Sequence, residues 1–185
     1  MRRLPPGPHG LSPELVERNQ RERLIAAMAE VCGERGYVES SVAEIAKRAG
    51  VSTASFYRQF KDKRECMLAS FEELSSRLFE AIERSCDAER DPAAAARVAA
   101  TLLAADPPTA RLLSVEIVSV GADGVRLQHE AIDRMAALLR DRAGSKPSTD
   151  AAWATVAAIV ALVGRRVAEG RSAGAEELES LAALA

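Results

Sequence analysis

Apolar positions recur at three-to-four spacing along most of the chain and never settle into strict alternation, so the pattern predicts helices and no strands. Ser12, followed by Pro13 and Glu14, opens the first helix. Its inner stripe is Leu24, Ile25, Met28, Val31 and Cys32, and it runs to Gly36. Ser41 and Glu44 have the spacing of a capping box, in which a hydroxyl and a carboxylate each take a free backbone amide. The helix they open turns Val42, Ile45, Ala46 and Ala49 inward and stops at Gly50, which tolerates the positive φ of a sharp turn. Ser52 caps a helix of about two turns that directs Val51, Phe56 and Phe60 inward and leaves Thr53, Ala54, Ser55, Tyr57, Arg58 and Gln59 outside. Asp62 with Glu65 starts a long helix through Met67, Leu68, Phe71, Leu74, Leu78, Phe79 and Ile82.

Beyond Asp87 the chain is alanine-rich, with breaks at Asp91-Pro92, Asp106-Pro107-Pro108, Gly121–Gly124, Gly144–Ser148 and Gly170–Gly174. These delimit helices over Ala93–Ala105, Thr109–Val120, Val125–Ala143, Ala151–Glu169 and Glu176–Leu184. The expected fold is all-α in three parts: a basic arm (1–11), a small helical domain (12–65) and a larger helical domain (66–185). The arm has two readings, a minor-groove contact or a solubilising end.

Charge sharpens this picture. The total is only −2, but residues 1–65 hold 12 Lys and Arg against 9 Asp and Glu, while 66–185 hold 13 against 18. The positive part is the one with the two short helices, and it is the part suited to phosphates. Cys32, Cys66 and Cys86 are odd in number and lack metal-ligand spacing, so neither a disulfide framework nor a metal site is expected and a cytoplasmic setting fits. The start lacks the apolar core of a signal peptide, and the apolar run Ala151–Val163 falls short of the roughly 20 residues of a membrane span, so no membrane partner is expected.

Two short helices across a glycine turn, with small polar groups leading the second, make a helix-turn-helix. Short side chains there let the backbone approach base edges, while tyrosine, lysine and free amides nearby hold phosphates. Gly36-Tyr37, Ser40-Ser41-Val42, Ile45-Ala46, Ala49-Gly50-Val51-Ser52, Phe56-Tyr57, Phe60 and Asp62-Lys63 together resemble the N-terminal domain of TetR-type (TetR/AcrR) transcriptional regulators, over roughly residues 20 to 72. The resemblance implies a helical homodimer with a DNA-binding head and a C-terminal domain for a small inducer. By position it assigns Tyr57, Lys63, Ser41 and Ser52 to phosphates and Thr53, Ala54, Ser55, Arg58 and Gln59 to the major groove, with Lys61 close by. Thr53 stands where the family often has a basic residue and Ala54 where it often has glycine.

No glycine-rich phosphate loop, His-Glu-x-x-His or serine elbow appears, so no catalytic residue, enzyme activity or cofactor is expected. His129 reads as a helix-face residue. A ligand pocket is expected from Phe71, Leu74, Leu78, Phe79, Leu112, Val115, Met135 and Trp153, suited to a small apolar effector. The helix Ala151–Glu169 is apolar nearly all round, so Val156, Ile159, Val160 and Val163 are expected to face a second copy. Two functions remain: a ligand-responsive repressor released from a palindromic double-stranded DNA operator, or a DNA-bound scaffold docking a protein partner. A closed apolar cavity favours the first, and a packed interior with an exposed apolar patch the second.

Overall fold

A computed structural model of the chain describes residues 12–86, 92–142 and 147–171, and within them every regular element is helical. Eight α-helices follow one another: α1 (Pro13–Glu39), α2 (Val42–Ala49), α3 (Thr53–Gln59), α4 (Lys63–Cys86), α5 (Pro92–Ala105), α6 (Pro107–Ser114), α7 (Ala122–Arg142) and α8 (Thr149–Ala168). A 3-10 turn, Glu116–Val120, joins α6 to α7. The arm 1–11 and the expected helix Glu176–Leu184 lie outside the described residues, as does the side chain of Cys86.

The caps form as their chemistry requires. The hydroxyls of Ser12, Ser41 and Ser52 accept from the amides of Leu15, Glu44 and Ser55 at 3.3, 3.2 and 3.0 Å. The Glu44 carboxylate returns the bond to the Ser41 amide at 3.0 Å. At the start of α4, Asp62 accepts from the Glu65 amide, and Glu65 reaches one residue further back, to the Lys61 amide, both at 2.7 Å. Gly50 ends α2 at φ +64, and Gly36 at φ +80 breaks α1 three residues before its last.

The expected helix Thr109–Val120 divides. α6 begins earlier, at Pro107, because Asp106 caps it and proline suits a first helical position. It ends at Ser114, and Val115 leaves helical geometry (φ −121, ψ −55). The β-branched run Val115, Ile117, Val118 and Val120 crowds an α-helical turn and continues as the tighter 3-10 form. α7 then starts three residues earlier than expected, at Ala122, with Gly124 inside its first turn. A Cβ at Gly124 would lie 2.0 Å from the Ile117 carbonyl oxygen, so only glycine permits this approach.

The first apolar cluster joins Leu24, Met28, Ile45, Phe56, Phe60 and Met67, all fully buried, and continues into Leu112 and Ile117. A second joins Ile82 of α4 to Ile132, Leu139 and Val156 of α7 and α8. α4 therefore contributes to both, as its long apolar pattern predicts. By length and composition alone α8 could cross a membrane: its 20 residues extend past the Ala151–Val163 run through Arg165-Arg166. It packs instead on α6 and α7, burying Ala152, Thr155, Val156, Val163 and Gly164.

Candidate functional site

α3 is presented to solvent by three supports. Phe56 and Phe60 lock its inner face into the core, with ring centroids 5.7 Å apart. Arg23 donates to the carbonyls of Ala49 and Gly50, capping the end of α2 and holding the turn. The Arg21 guanidinium lies 4.5 Å from the Phe60 ring centre and tethers the far end of α3. Sequence reasoning missed both arginines because their partners are 26 to 39 residues away.

Ser41, Ser52, Thr53, Ala54, Arg58 and Lys61 are exposed. Tyr57 is 58% exposed and stands edge-on to Phe56, which carries it outward. Gln59 is half-buried, its amide 3.5 Å from the Glu17 carbonyl. Ser55 is a correction: at 7% exposure it points inward, because its hydroxyl lies 3.0 Å from that of Ser52 and accepts from Arg58 at 2.8 Å. It fixes the cap and the Arg58 rotamer instead of facing a groove.

Lys63, assigned to a phosphate by the resemblance, is engaged within the protein. Its ammonium donates to the carbonyls of Tyr37 (2.7 Å), Ser40 (2.7 Å) and Val38 (3.3 Å), so all three of its protons are engaged with backbone. It also lies 4.4 Å from the Tyr37 ring centre. The helix break at Gly36 frees carbonyls of this turn from the helix, and the lysine satisfies them.

The same turn is held from the other side. Glu116, 5% exposed, accepts from the Tyr37 amide at 2.7 Å and from Arg111 Nε at 2.8 Å. A Cβ at Gly36 would approach its carboxylate to 3.4 Å. Residues 36–40 are thus clamped between α4 and the end of α6. Cys32 and Cys66 lie in the adjoining core, and burial pushes their thiols up to about 11 and about 12.

An apolar cavity of about 130 Å3 opens between α4, α5, α6, α7 and α8. Of the eight pocket residues expected, Phe71, Leu78, Phe79 and Met135 line it. Leu74 packs against the first core cluster instead. Leu112 is fully buried in that cluster because Ala110, Leu113 and Ser114 take the cavity face of α6. Val115 has left the helix and abuts Gly164. Trp153 sits edge-on to His129, ring centres 5.8 Å apart, along the α7–α8 seam. Ile82, Leu103, Leu113, Gln128 and Arg134 were missed, although Phe71, Ser75, Leu78 and Ile82 share one face of α4 by spacing.

Val156, Ile159, Val160 and Val163, expected at a dimer contact, also line the cavity. The outward face of α8 carries Ala151, Ala154, Ala158, Ala161, Arg165 and Ala168. Branched residues fill the space between helices, and small ones are left outside.

A family model described as bacterial regulatory proteins, tetR family, matches residues 24–70, the segment that holds α2, α3 and the helix turns packed on them. Over that segment the chain is similar to the tetR family. Over 61 residues it is 38% identical to the fatty acid metabolism regulator protein of Bacillus subtilis, a match covering 33% of this chain and 31% of that one. The chain thus spans about a third of that curated relative. Among solved structures it is similar to the fatty acid degradation regulator FadR of Bacillus halodurans, with TM-score 0.74, 19% identity, and 89% and 93% of the two chains covered. It is also similar to FadR of B. subtilis, solved in complex with stearoyl-CoA, with TM-score 0.73, 21% identity, and 88% and 96% covered. Beyond the matched segment the fold is helical, as in those structures, and the relatives named are regulators.

Proposed function

We propose that this chain is a ligand-responsive transcriptional regulator: a homodimer that places α3 of each subunit in successive major grooves of a palindromic operator and is released by a small apolar molecule. The observation that carries the reading is one continuous helix, α4, whose first residues fix the reading head and whose later turns wall an apolar cavity. Thr53, Ala54 and Arg58 meet base edges, and Tyr57, Lys61, Ser41 and Ser52 meet phosphates. Two-fold symmetry sets the half-sites about 34–36 Å apart. The dimer contact falls on the outward alanine face of α8. An apolar cavity walled by five helices supports an effector over the protein-docking alternative, and the stearoyl-CoA in B. subtilis FadR supports an effector with an apolar body.

The test is selection of bound fragments from genomic DNA with the full chain, followed by anisotropy titration of the recovered motif. Arg58→Ala is expected to relax preference at one base pair by about 1–3 kcal/mol. A recovered motif identical for the variant would remove Arg58 from base reading. Failure to retain any duplex at low salt would remove the regulator reading as a whole.

A further inference from the structure

The cavity wall is apolar except for four side chains among the described residues, Ser75, Ser114, Gln128 and Arg134. Three are already engaged with backbone. Ser75 donates to the Glu72 carbonyl at 3.2 Å, Ser114 to the Ala110 carbonyl at 2.6 Å, and the Gln128 amide to the Leu113 carbonyl at 3.2 Å. Arg134 differs. Its guanidinium lies 4.5 Å from the ring centre of Phe79, itself a cavity residue, and its side chain is exposed at the rim. Glu130, one turn back on α7, is bonded to Arg126 at 2.7 Å.

A guanidinium stacked on an aromatic face is restrained in direction while its donors stay available. Placed at the rim of an apolar chamber, it pairs with an oxyanion whose attached body is apolar. We propose that Arg134 is the anchor for the head of the effector, and that the effector is therefore an anionic amphiphile, with a carboxylate or phosphate on Arg134 and a hydrocarbon tail inside. The proposal rests on the reading of the cavity as the effector site. The size of the chamber adds a constraint. At about 130 Å3 it approaches engineered cavities of about 150 Å3 that admit benzene. A longer tail enters only by parting the helices that wall it. The head fixes which end stays at the rim, and the tail supplies the displacement.

The experiment is calorimetric titration of the full chain with four probes of equal tail length: octanoate, octyl phosphate, octanol and octylamine. The two anions are expected to bind at least about tenfold more tightly than octanol, and octylamine more weakly than octanol. In Arg134→Gln the anion advantage disappears while octanol affinity stays unchanged. Arg134→Lys keeps part of the advantage, because it retains the charge and loses the planar fork. A preference for octanoate over octyl phosphate assigns the head to a carboxylic acid, and the reverse to a phosphate ester. Equal binding of octanol and the anions by the natural chain overturns the proposal and leaves the effector cavity standing, as does an anion preference that survives in Arg134→Gln. If no probe binds, the proposal and the cavity reading both fall.

Discussion

Replacing Glu116 tests whether the cavity wall and the reading head are joined through residues 36–40. Its carboxylate is 5% exposed and accepts two bonds, at 2.7 Å from the Tyr37 amide and 2.8 Å from Arg111 Nε. Glu116→Ala leaves the amide without its acceptor and Arg111 without its counter-charge. A bond to a charged group contributes about 1.5–3 kcal/mol, and stripping one partner from a fully buried ion pair costs about 3–5 kcal/mol. Arg111 retains 34% of its side-chain exposure, so water recovers part of that second loss. The expected destabilisation is therefore about 2–3 kcal/mol, a fall in Tm of roughly 4–12 °C for a chain of this length. Glu116→Gln keeps one acceptor and is expected to lose about half as much. The decisive assay is DNA affinity by anisotropy with and without an effector found in the amphiphile titrations. If the clamp carries the signal, the ratio of the two affinities moves toward one in Glu116→Gln while the effector still binds. A folded Glu116→Gln protein with an unchanged ratio refutes the connection, whatever its Tm.

The two core thiols give a pH signature. With Cys32 and Cys66 pushed up to about 11 and about 12, the folded chain holds protons that the unfolded chain releases above about 9, so stability contributed by the neutral thiols is complete below pH 9 and declines above it. At pH 8, iodoacetamide is expected to modify neither residue until the chain is unfolded, and rapid labelling of either in the native protein would place it at an opening. α8 gives a contrast between two substitutions. Val156→Asp, at 4% exposure, puts a carboxyl on the cavity wall and is expected to lower Tm by roughly 6–12 °C, in line with about 3 kcal/mol for an unpaired buried polar group. Ala158→Arg, on the outward face, is expected to reduce the sedimentation coefficient toward that of a monomer with little change in secondary structure; unchanged sedimentation would move the dimer contact off α8.

What could be read from the sequence follows the range of the interactions. Ser41, Glu44, Gly50, Ser52 and Asp62 are legible because a cap is made within four residues, so its chemistry and its position are written together. Leu24, Met28, Ile45 and Phe56 are legible because each helix has a polar side that orients the apolar one. α8 lacks that contrast, and its orientation comes from the helices beside it. Bulky Val156 and Val163 line the chamber, and Gly164 packs against Val115. Ser55 was misplaced, and the backbone contacts of Lys63 missed, for another reason: a hydroxyl and an ammonium are equally suited to DNA and to unsatisfied carbonyls and hydroxyls of the protein. Here the carbonyls freed at Gly36 lie within reach of the Lys63 ammonium.

On the function proposed above, that competition sets how ligand and DNA would communicate. Lys63 is the first residue of α4 and holds Tyr37 and Ser40; Glu116 follows α6 and holds the amide of the same Tyr37. Two walls of the cavity thus end on one turn, and that turn leads directly into α2. Lys63→Met is accordingly expected to cost about 1–2 kcal/mol in stability, since the carbonyls of Val38 and Ser40 lose a half-exposed ammonium while that of Tyr37 keeps the Ser40 hydroxyl, and to leave the salt dependence of DNA binding unchanged. A slope reduced by about one with unchanged Tm would return Lys63 to the phosphates. The double variant with Glu116→Gln then separates two arrangements. If the ties act as one clamp, the second removal costs less than it does alone, and the cycle shows a coupling of about 0.5 kcal/mol or more. Strict additivity would mean that α4 and α6 reach the head independently, and that displacing one helix leaves the other's hold on the turn intact.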